Sequence, residues 1–180
     1  IIHRIRSIIE ENHQYLIELD SLMGDGDLGL TMKKAFVTAD EEIQNTEETD
    51  CGKIFMRAGM VMAKAAPSTM GTLVATGFMR GGKAVSGKSE LDTAALAEFF
   101  TAFANGIMER GKSSPGDKTI VDVVKPAADA LTAHKDKSPK EALRAALTAA
   151  EEGLEATKEM APKHGKIYYH QEEAKGRQDP

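Results

Sequence analysis

Three aspartates near the start of the chain are spaced closely enough to share a metal ion. Asp20, Asp25 and Asp27 lie within eight positions of one another, in the segment LDSLMGDGDLGLTM, and glycines are interspersed among them. Ionised carboxylates held a few ångströms apart repel one another strongly unless a cation lies among them or their pKa values rise. Mg²⁺ binds about one or two carboxylates per ion and completes its coordination with water and phosphate oxygens. Three aspartates therefore suit one or two Mg²⁺ ions that carry the phosphates of a nucleotide.

The same segment also has a structural alternative. Asp and Gly are frequent in turns between helices, so the spacing alone supports a capped turn about as well as a Mg²⁺–phosphate site. A calcium-binding EF-hand loop is excluded. Such a loop starting at Asp25 would need an oxygen ligand, a glycine and a glutamate at positions that hold Gly29, Leu30 and Phe36.

The segments on either side of these aspartates are predicted to be helices. Apolar residues recur at helical spacing along most of the chain, and the first such helix runs into Asp20. Glycines make the fourth helix, TMGTLVATGFMRGGKAV, the least favoured, because each costs about 1 kcal/mol relative to alanine unless packing or a ligand offsets it. The final stretch KHGKIYYHQEEAKGRQDP lacks this periodicity and is predicted to be a long loop. Seven helices and a loop predict an all-α bundle or barrel.

Capping residues mark three of the helix starts. Asp92 is placed to cap the fifth helix. Ser138 and Glu141 form the capping-box pattern of the seventh helix, which we expect to end near Met160. We expect Asp117 to cap the sixth helix.

Composition limits the class of protein. The 180 residues are 41% hydrophobic, enough for a full core, so we expect one domain over residues 1–180. A net charge of −5 and the lack of Trp argue against a nucleic-acid partner. The chain has no apolar run of about 18 residues, so no membrane span is predicted. The single cysteine, Cys51, excludes an internal disulfide and fits a reducing compartment, so we expect a cytoplasmic protein.

Four segments, in the same order, resemble motifs of the dihydroxyacetone kinase L subunit, the nucleotide-binding component of those kinases. LDSLMGDGDLG is similar to the signature L-D-x-x-x-G-D-G-D-x-G, and STMGTLVATGF lies where that family has a Gly/Thr/Ser-rich phosphate loop. GDKTIVDVVKPA is similar to G-D-K-T-M-x-D-x-x-x-P-A, and GKIYYHQEEAKGRQDP aligns without gaps to the last motif of the family. The resemblance covers nearly the whole chain, and four ordered motifs are far more specific than one.

This resemblance implies an antiparallel barrel of about eight helices that holds ADP or ATP at one end through two Mg²⁺ ions. It implies that Asp20, Asp25 and Asp27 ligate the metal ions. The residues implied to bind the nucleotide are Ser68, Thr69 and Gly71 at the phosphates, Gly116, Thr119 and Ile120 beside the adenosine, and Lys166 and Asp179 in a C-terminal loop that covers the nucleotide from Gly165 to Asp179. Ser68 and Thr69 also have a structural alternative, since these residue types commonly begin a helix.

The chain departs from the family pattern at several positions. Leu28 and Thr31 stand where His and Asn are usual, and Met70 replaces a Ser of the phosphate loop. In the C-terminal loop, Lys166 and Glu173 each replace an Arg. Arg and Lys are not equivalent at a bidentate phosphate site, and Glu reverses the charge. The metal site is therefore better supported than the individual nucleotide contacts.

The resemblance also implies a function and partners. In that family the terminal phosphoryl group of the bound nucleotide passes to a ketose that a histidine of a separate K-type subunit holds covalently. In the branch linked to the phosphotransferase system, which we expect here, ADP stays bound and a phosphohistidine carrier (M-type) subunit rephosphorylates it. The alternatives are an ATP-dependent kinase subunit for another short ketose such as erythrulose, a non-catalytic nucleotide-responsive regulatory subunit, and a structural helical interaction module.

Overall fold

The chain consists of helices connected by short loops, without any β-strand. The computed structural model describes residues 1–180. The helices α1 to α7 span Ile2–Ser21, Leu28–Gln44, Cys51–Ala65, Thr69–Ala84, Thr93–Gly111, Val121–Ala133 and Pro139–Ala156. A short helix α8 spans Gln171–Ala174, and 3₁₀ turns span Thr157–Glu159 and Lys166–Tyr169. The all-α prediction is confirmed. None of these helices combines the length and the apolar character that crossing a bilayer requires.

Each long helix packs against the next one in the chain, from α1 on α2 to α6 on α7. Because the connections are short, neighbouring helices run antiparallel. One end of the bundle therefore collects the α1–α2, α3–α4 and α5–α6 loops together with the residues that follow α7. We call residues 160–180 the C-terminal segment.

Phenylalanine rings from four neighbouring helices form the centre of the core. Between ring centroids, Phe55 of α3 lies 4.6 Å from Phe99 of α5, and Phe78 of α4 lies 5.4 Å from Phe103 of α5. Phe36 of α2 packs edge-on against Phe78. Each such pair contributes about 0.5–1.5 kcal/mol beyond the burial of its area. This core fixes the helix ends from which the loops of the site extend.

Close packing explains the glycines of α4. A Cβ at Gly77 would lie 2.7 Å from the ring of Phe103, and a Cβ at Gly81 would lie 2.7 Å from the ring of Phe99. Only a residue without a side chain fits at these positions, and the close packing of the rings offsets the lower helix propensity of glycine. The helix is as predicted, and packing is the reason at both positions.

Two of the three predicted caps are confirmed. The Asp92 side chain accepts the backbone N–H of the third residue of α5 at 2.8 Å. Ser138 and Glu141 form both hydrogen bonds of a capping box at the start of α7. A 3₁₀ turn continues α7 to Glu159, next to the predicted end at Met160.

The predicted cap of α6 is wrong. No side chain caps this helix at its N-cap residue, Ile120. Instead Asp122, inside the first turn, accepts the backbone N–H of Gly116 at 2.5 Å and that of Thr119 at 2.8 Å. The Asp117 carboxylate forms hydrogen bonds with Lys163 and His164 of the C-terminal segment. The Thr119 hydroxyl accepts the N–H of Val121, the first residue of α6, at 3.2 Å, so Thr119 and Asp122 close the start of the helix in place of Asp117.

The C-terminal segment is only partly the long loop that the sequence predicts. It contains the 3₁₀ turn at Lys166–Tyr169 and helix α8, and Ala174 of that helix is fully buried. Four-residue elements are too short to produce a detectable apolar period.

Candidate functional site

A cavity of about 520 Å³ lies at the end of the bundle where the loops meet. The α1–α2 loop, the start of α4, the turn before α6 and the C-terminal segment form its walls. Every residue predicted for the metal or the nucleotide lines this cavity except Gly71 and Gly116. The fold therefore brings groups from four distant parts of the chain to one place.

The three aspartates form one acidic cluster in the cavity wall. A carboxylate oxygen from each of Asp20, Asp25 and Asp27 lies within 4.8 Å of those of the other two. Asp20 is half-buried, whereas Asp25 and Asp27 are exposed. Closely spaced carboxylate oxygens are the hard, anionic donors that Mg²⁺ prefers. These residues therefore fit a divalent cation.

The glycines around the aspartates determine the shape of this cluster. A Cβ at Gly24 would lie 2.1 Å from Oδ1 of Asp20. Gly26 has a φ of +71°, in the left-handed region that favours glycine. A Cβ at Gly29 would lie 2.1 Å from the backbone oxygen of His13 on α1. The glycines thus allow the tight turn beside Asp20 and the close approach of α2 to α1.

The turn alternative accounts for only one of the three aspartates. Oδ2 of Asp20 accepts the backbone N–H of Leu28, the first residue of α2, at 3.2 Å. Asp27 occupies the N-cap position of α2, but its side chain makes no capping hydrogen bond. Asp25 pairs with a lysine of the C-terminal segment. Closing the turn therefore does not explain why Asp25 and Asp27 are carboxylates.

Lys166 is the lysine that pairs with Asp25. The pairing lowers the pKa of Asp25 and raises the pKa of Lys166. The charges of Asp27 and Asp20 raise the pKa of Lys166 further. One ammonium group faces three carboxylates, so the cluster keeps a net negative charge and attracts further cations.

The start of α4 brings a helix N-terminus and a hydroxyl group to the cavity. Ser68 caps α4 by accepting the N–H of Gly71 at 3.0 Å, so the structural alternative holds for its side chain. Thr69 lines the cavity and is exposed. Gly71 is buried, and a Cβ there would lie 2.1 Å from the backbone oxygen of Ala66, so packing explains this glycine. The N-terminal turn of a helix favours anions, so a phosphate suits this wall.

The turn before α6 brings Thr119 and Ile120 to the cavity. Gly116 has a φ of +90° and open space beside its Cα, and its N–H donates to Asp122. It therefore shapes the turn from outside the cavity wall. Lys118, Thr119 and Ile120 are the residues of this turn that line the cavity.

Sequence reasoning missed Lys118 in the same turn. Its side chain has no exposed surface, and its Nζ donates to the backbone oxygens of Thr157 at 2.6 Å and Arg177 at 2.5 Å. Burial lowers the pKa of Lys118. Lysine is almost never fully buried without partners. Because both partners lie far along the chain, no local pattern could have identified this role.

Asp179 lies near Lys118 in the cavity wall. Its backbone N–H donates to the hydroxyl of Thr157 at 2.9 Å. Burial raises the pKa of Asp179 to about 7, and the attraction of Lys118 only partly opposes this rise. The carboxyl group of Asp179 is therefore protonated more readily than that of an exposed aspartate.

The departures from the family pattern have different structural settings. Leu28 and Met70 pack against the hydrophobic core and also line the cavity, where they present apolar surface. Thr31, which is half-buried on α2, and Glu173, which is exposed, do not line the cavity. Lys166, the remaining departure, also lines the cavity, so three of the five departures change its surface.

The chain matches the family model of the DAK2 domain over residues 22–180. It therefore belongs to the DAK2 domain family. It is 32% identical over 179 residues to the PEP-dependent dihydroxyacetone kinase, ADP-binding subunit DhaL, of Escherichia coli, which covers 98% of this chain and 85% of that subunit. It is 27% identical over 182 residues to the L-erythrulose 1-kinase of Mycolicibacterium smegmatis, which covers 100% of this chain and 32% of that kinase. The family expected from the four motifs is confirmed.

The fold is also similar to that of a solved kinase. The crystal structure of the dihydroxyacetone kinase from C. freundii in complex with AMP-PNP and Mg²⁺ matches with a TM-score of 0.77 at 23% identity. The match covers 99% of this chain and 30% of that chain. The likeness confirms the helical architecture, and this chain spans under a third of the solved kinase.

Proposed function

We propose that this chain, as a single unit over residues 1–180, is the nucleotide-binding subunit of a dihydroxyacetone-type kinase in the cytoplasm. It carries Mg²⁺ with ADP or ATP, and the terminal phosphoryl group passes to a ketose held on a partner K-type subunit. The observation that carries this proposal is the acidic cluster of Asp20, Asp25 and Asp27, which shares one cavity with the start of α4. The similarity to an ADP-binding subunit supports the same assignment.

The metal ligands would be Asp20, Asp25 and Asp27, with two Mg²⁺ ions bound. Bound Mg²⁺ supplies positive charge that neutralises the phosphates as the phosphoryl group is transferred. The N–H of Leu28 orients the carboxylate of Asp20 in advance, which reduces the reorganisation that binding requires. Lys166, on a flexible side chain, can move its ammonium group from Asp25 to a phosphate oxygen.

The nucleotide would lie between the start of α4 and the turn before α6. Ser68 holds the first turn of α4 in place, so that its positive end and the Thr69 hydroxyl face the phosphates. Thr119 and Ile120 border the adenosine. Asp179 closes the cavity from the C-terminal segment. Gly71 and Gly116 contribute through the backbone shape that they permit.

The partners follow from the chemistry of the relative. A kinase that uses phosphoenolpyruvate and has an ADP-binding subunit must rephosphorylate that ADP during each cycle. We infer that a phosphohistidine carrier (M-type) subunit of the phosphotransferase system supplies this phosphoryl group. The K-type subunit binds the ketose and brings its hydroxyl to the nucleotide.

A second candidate is an ATP-dependent kinase subunit that serves another short ketose. The similarity to an L-erythrulose 1-kinase over the whole of this chain favours it. Both candidates use the same Mg²⁺–nucleotide cavity, because the partner binds the acceptor. They differ in the acceptor and in the phosphoryl donor.

An assay of phosphoryl transfer tests the proposal. It contains the cognate K-type subunit, Mg²⁺ and ATP, with dihydroxyacetone or erythrulose as the acceptor in separate reactions. The unmodified chain should phosphorylate dihydroxyacetone in a single turnover, whereas Asp25→Asn combined with Asp27→Asn should not. Asp136→Asn is the matched control, because Asp136 is exposed and lies outside the cavity. Transfer to erythrulose alone would favour the second candidate. Nucleotide binding without transfer to either ketose would contradict both and leave a regulatory subunit.

A further inference from the structure

Lys118 connects the turn before α6 to two separate parts of the chain that follow α7. Its Nζ donates to the backbone oxygen of Thr157, at the end of α7, and to that of Arg177 in the C-terminal segment. The distances are 2.6 and 2.5 Å. One buried side chain thus joins three elements that are distant in sequence.

Neighbouring contacts attach the C-terminal segment at the same place and at its start. The N–H of Asp179 donates to the Thr157 hydroxyl at 2.9 Å, and the N–H of Gly176 donates at 3.1 Å to a backbone oxygen in the 3₁₀ turn after α7. Near the start of the segment, the Asp117 carboxylate accepts from the side chain of Lys163 at 2.7 Å. The segment is therefore attached near both of its ends, and Lys118 lies at the later attachment.

Burying the ammonium group of Lys118 costs free energy that packing of its side chain does not offset. Burial of a charged group is unfavourable unless hydrogen bonds and an opposite charge compensate it. Two carbonyl oxygens accept from the ammonium group, and the Asp179 carboxylate adds an opposite charge when it is ionised. An apolar side chain of equal length would fill the same space without the penalty. The ammonium group is therefore explained by the bonds that it makes.

We propose that Lys118 is a positioning residue that holds the C-terminal segment closed over the cavity. The bond to Arg177 fixes the backbone two residues before Asp179, and the rest of the segment carries Lys166 to the acidic cluster. Lys118 lies in the cavity wall, but its side chain has no exposed surface and its Nζ donates to two backbone oxygens, so Lys118 acts through the segment. The value of this closure to a nucleotide rests on the proposed function, whereas the attachment rests on these contacts alone.

Hydrogen exchange of the full chain without nucleotide tests the attachment. Lys118→Met keeps the length of the side chain and removes its donors, and Lys135→Met at an exposed lysine is the matched control. We expect amide exchange in residues 163–180 to rise about tenfold in Lys118→Met, while exchange in α2 to α5 matches that of the control. Unchanged exchange in the C-terminal segment, or an equal rise throughout the bundle, would overturn the proposal.

A second variant covers the case in which Lys118→Met does not fold. Thr157→Val is isosteric and removes the hydroxyl that accepts the N–H of Asp179, while Lys118 stays in place. We expect faster exchange confined to residues 176–180. Unchanged exchange in residues 176–180 would show that the hydrogen bonds at Thr157 do not attach the C-terminal segment to the end of α7, and this would contradict the proposal.

Nucleotide kinetics then test whether the closure matters to the cavity. With Mg²⁺ and fluorescent mant-ADP, Lys118→Met should release the nucleotide about tenfold faster and bind it at a rate within about twofold of the unmodified chain. A merely structural defect would lower the fraction of active protein and leave the release rate unchanged. If the unmodified chain binds no ADP, the proposed function fails and hydrogen exchange alone decides the role of Lys118. A loosened segment without faster release would overturn the positioning role.

Discussion

Lys166 in the C-terminal segment pairs with Asp25 in the loop between α1 and α2, near opposite ends of the chain. This pair joins the segment to the acidic cluster. The carboxylate that accepts from Lys166 is also one of the proposed Mg²⁺ ligands. The position of the segment and the charge state of the cluster are therefore linked through one side chain.

Replacement of Lys166 should weaken ADP binding without lowering the stability of the fold. Lys166→Met removes a positive charge from the cavity, and we expect ADP affinity to fall about tenfold with Mg²⁺ present. The melting temperature without nucleotide should barely change, because both members of the pair are exposed and such pairs add little to stability. Calorimetry and thermal denaturation measure the two effects, with Lys135→Met as the control. A large drop in melting temperature at unchanged affinity would show that the pair is only structural.

Asp117 should make stability depend on pH. The Lys163 ammonium and the N–H of Ser114 lower the pKa of Asp117 from 3.8 to about 2. A lowered carboxyl pKa stabilises the folded protein at pH values above about 4, and this contribution is lost as the pH falls through about 2. We expect Asp117→Asn to cost about 1–2 kcal/mol at pH 7, with allowance for the exposure of Lys163. Urea denaturation should show this difference shrinking toward pH 2, and a difference independent of pH would contradict the assignment.

The caps show which parts of the fold a sequence can predict. Asp92 and Ser138 bond N–H groups within their own first turn, so local spacing predicted both correctly. Asp117 has an equally suitable local position, but Lys163 and His164 from the C-terminal segment bond its carboxylate instead. Partners that arrive from forty or more residues away leave no trace in local spacing.

The site also contains residues that local sequence predicts and residues that it does not. The spacing of Asp25 and Asp27 predicts carboxylates that lie close together, and the glycines beside them allow the tight turn that the structure shows. The glycine at position 71 was ambiguous, since glycine permits both close packing and close approach of a ligand, and Gly71 packs against the backbone. Lys118 could not be found, because its hydrogen-bond partners come together only in the folded chain.

Two glycine substitutions should affect different properties. The Cβ of Gly24→Ala would displace the Asp20 carboxylate, so we expect weaker Mg²⁺-dependent ADP binding with little loss of stability. The Cβ of Gly81→Ala would press on the Phe99 ring, and such overpacking costs about 1–3 kcal/mol. The folded fraction of Gly81→Ala should bind ADP normally. Urea denaturation and calorimetry on both variants test this, and the reverse pattern would contradict the roles given to the two glycines.

Mg²⁺ and ADP together should stabilise the protein against heat. A ligand present at about 100 times its Kd, and bound only by the folded state, adds about 2.7 kcal/mol. For a chain of this size that corresponds to a rise of about 5–10 °C in melting temperature. ADP with a chelator should produce a much smaller shift. Equal shifts with and without Mg²⁺ would show that the acidic cluster does not couple a metal ion to the nucleotide.

If the acidic cluster binds the metal ions that hold the nucleotide, calorimetric titration of ADP with and without Mg²⁺ should show it. The titration compares the unmodified chain, the Asp25→Asn and Asp27→Asn double variant, and the Asp136→Asn control. Mg²⁺ should tighten ADP binding at least about tenfold in the unmodified chain and the control, and should have no such effect in the double variant. ADP binding that is independent of Mg²⁺ in the unmodified chain, or equally dependent on it in the double variant, would contradict the claim.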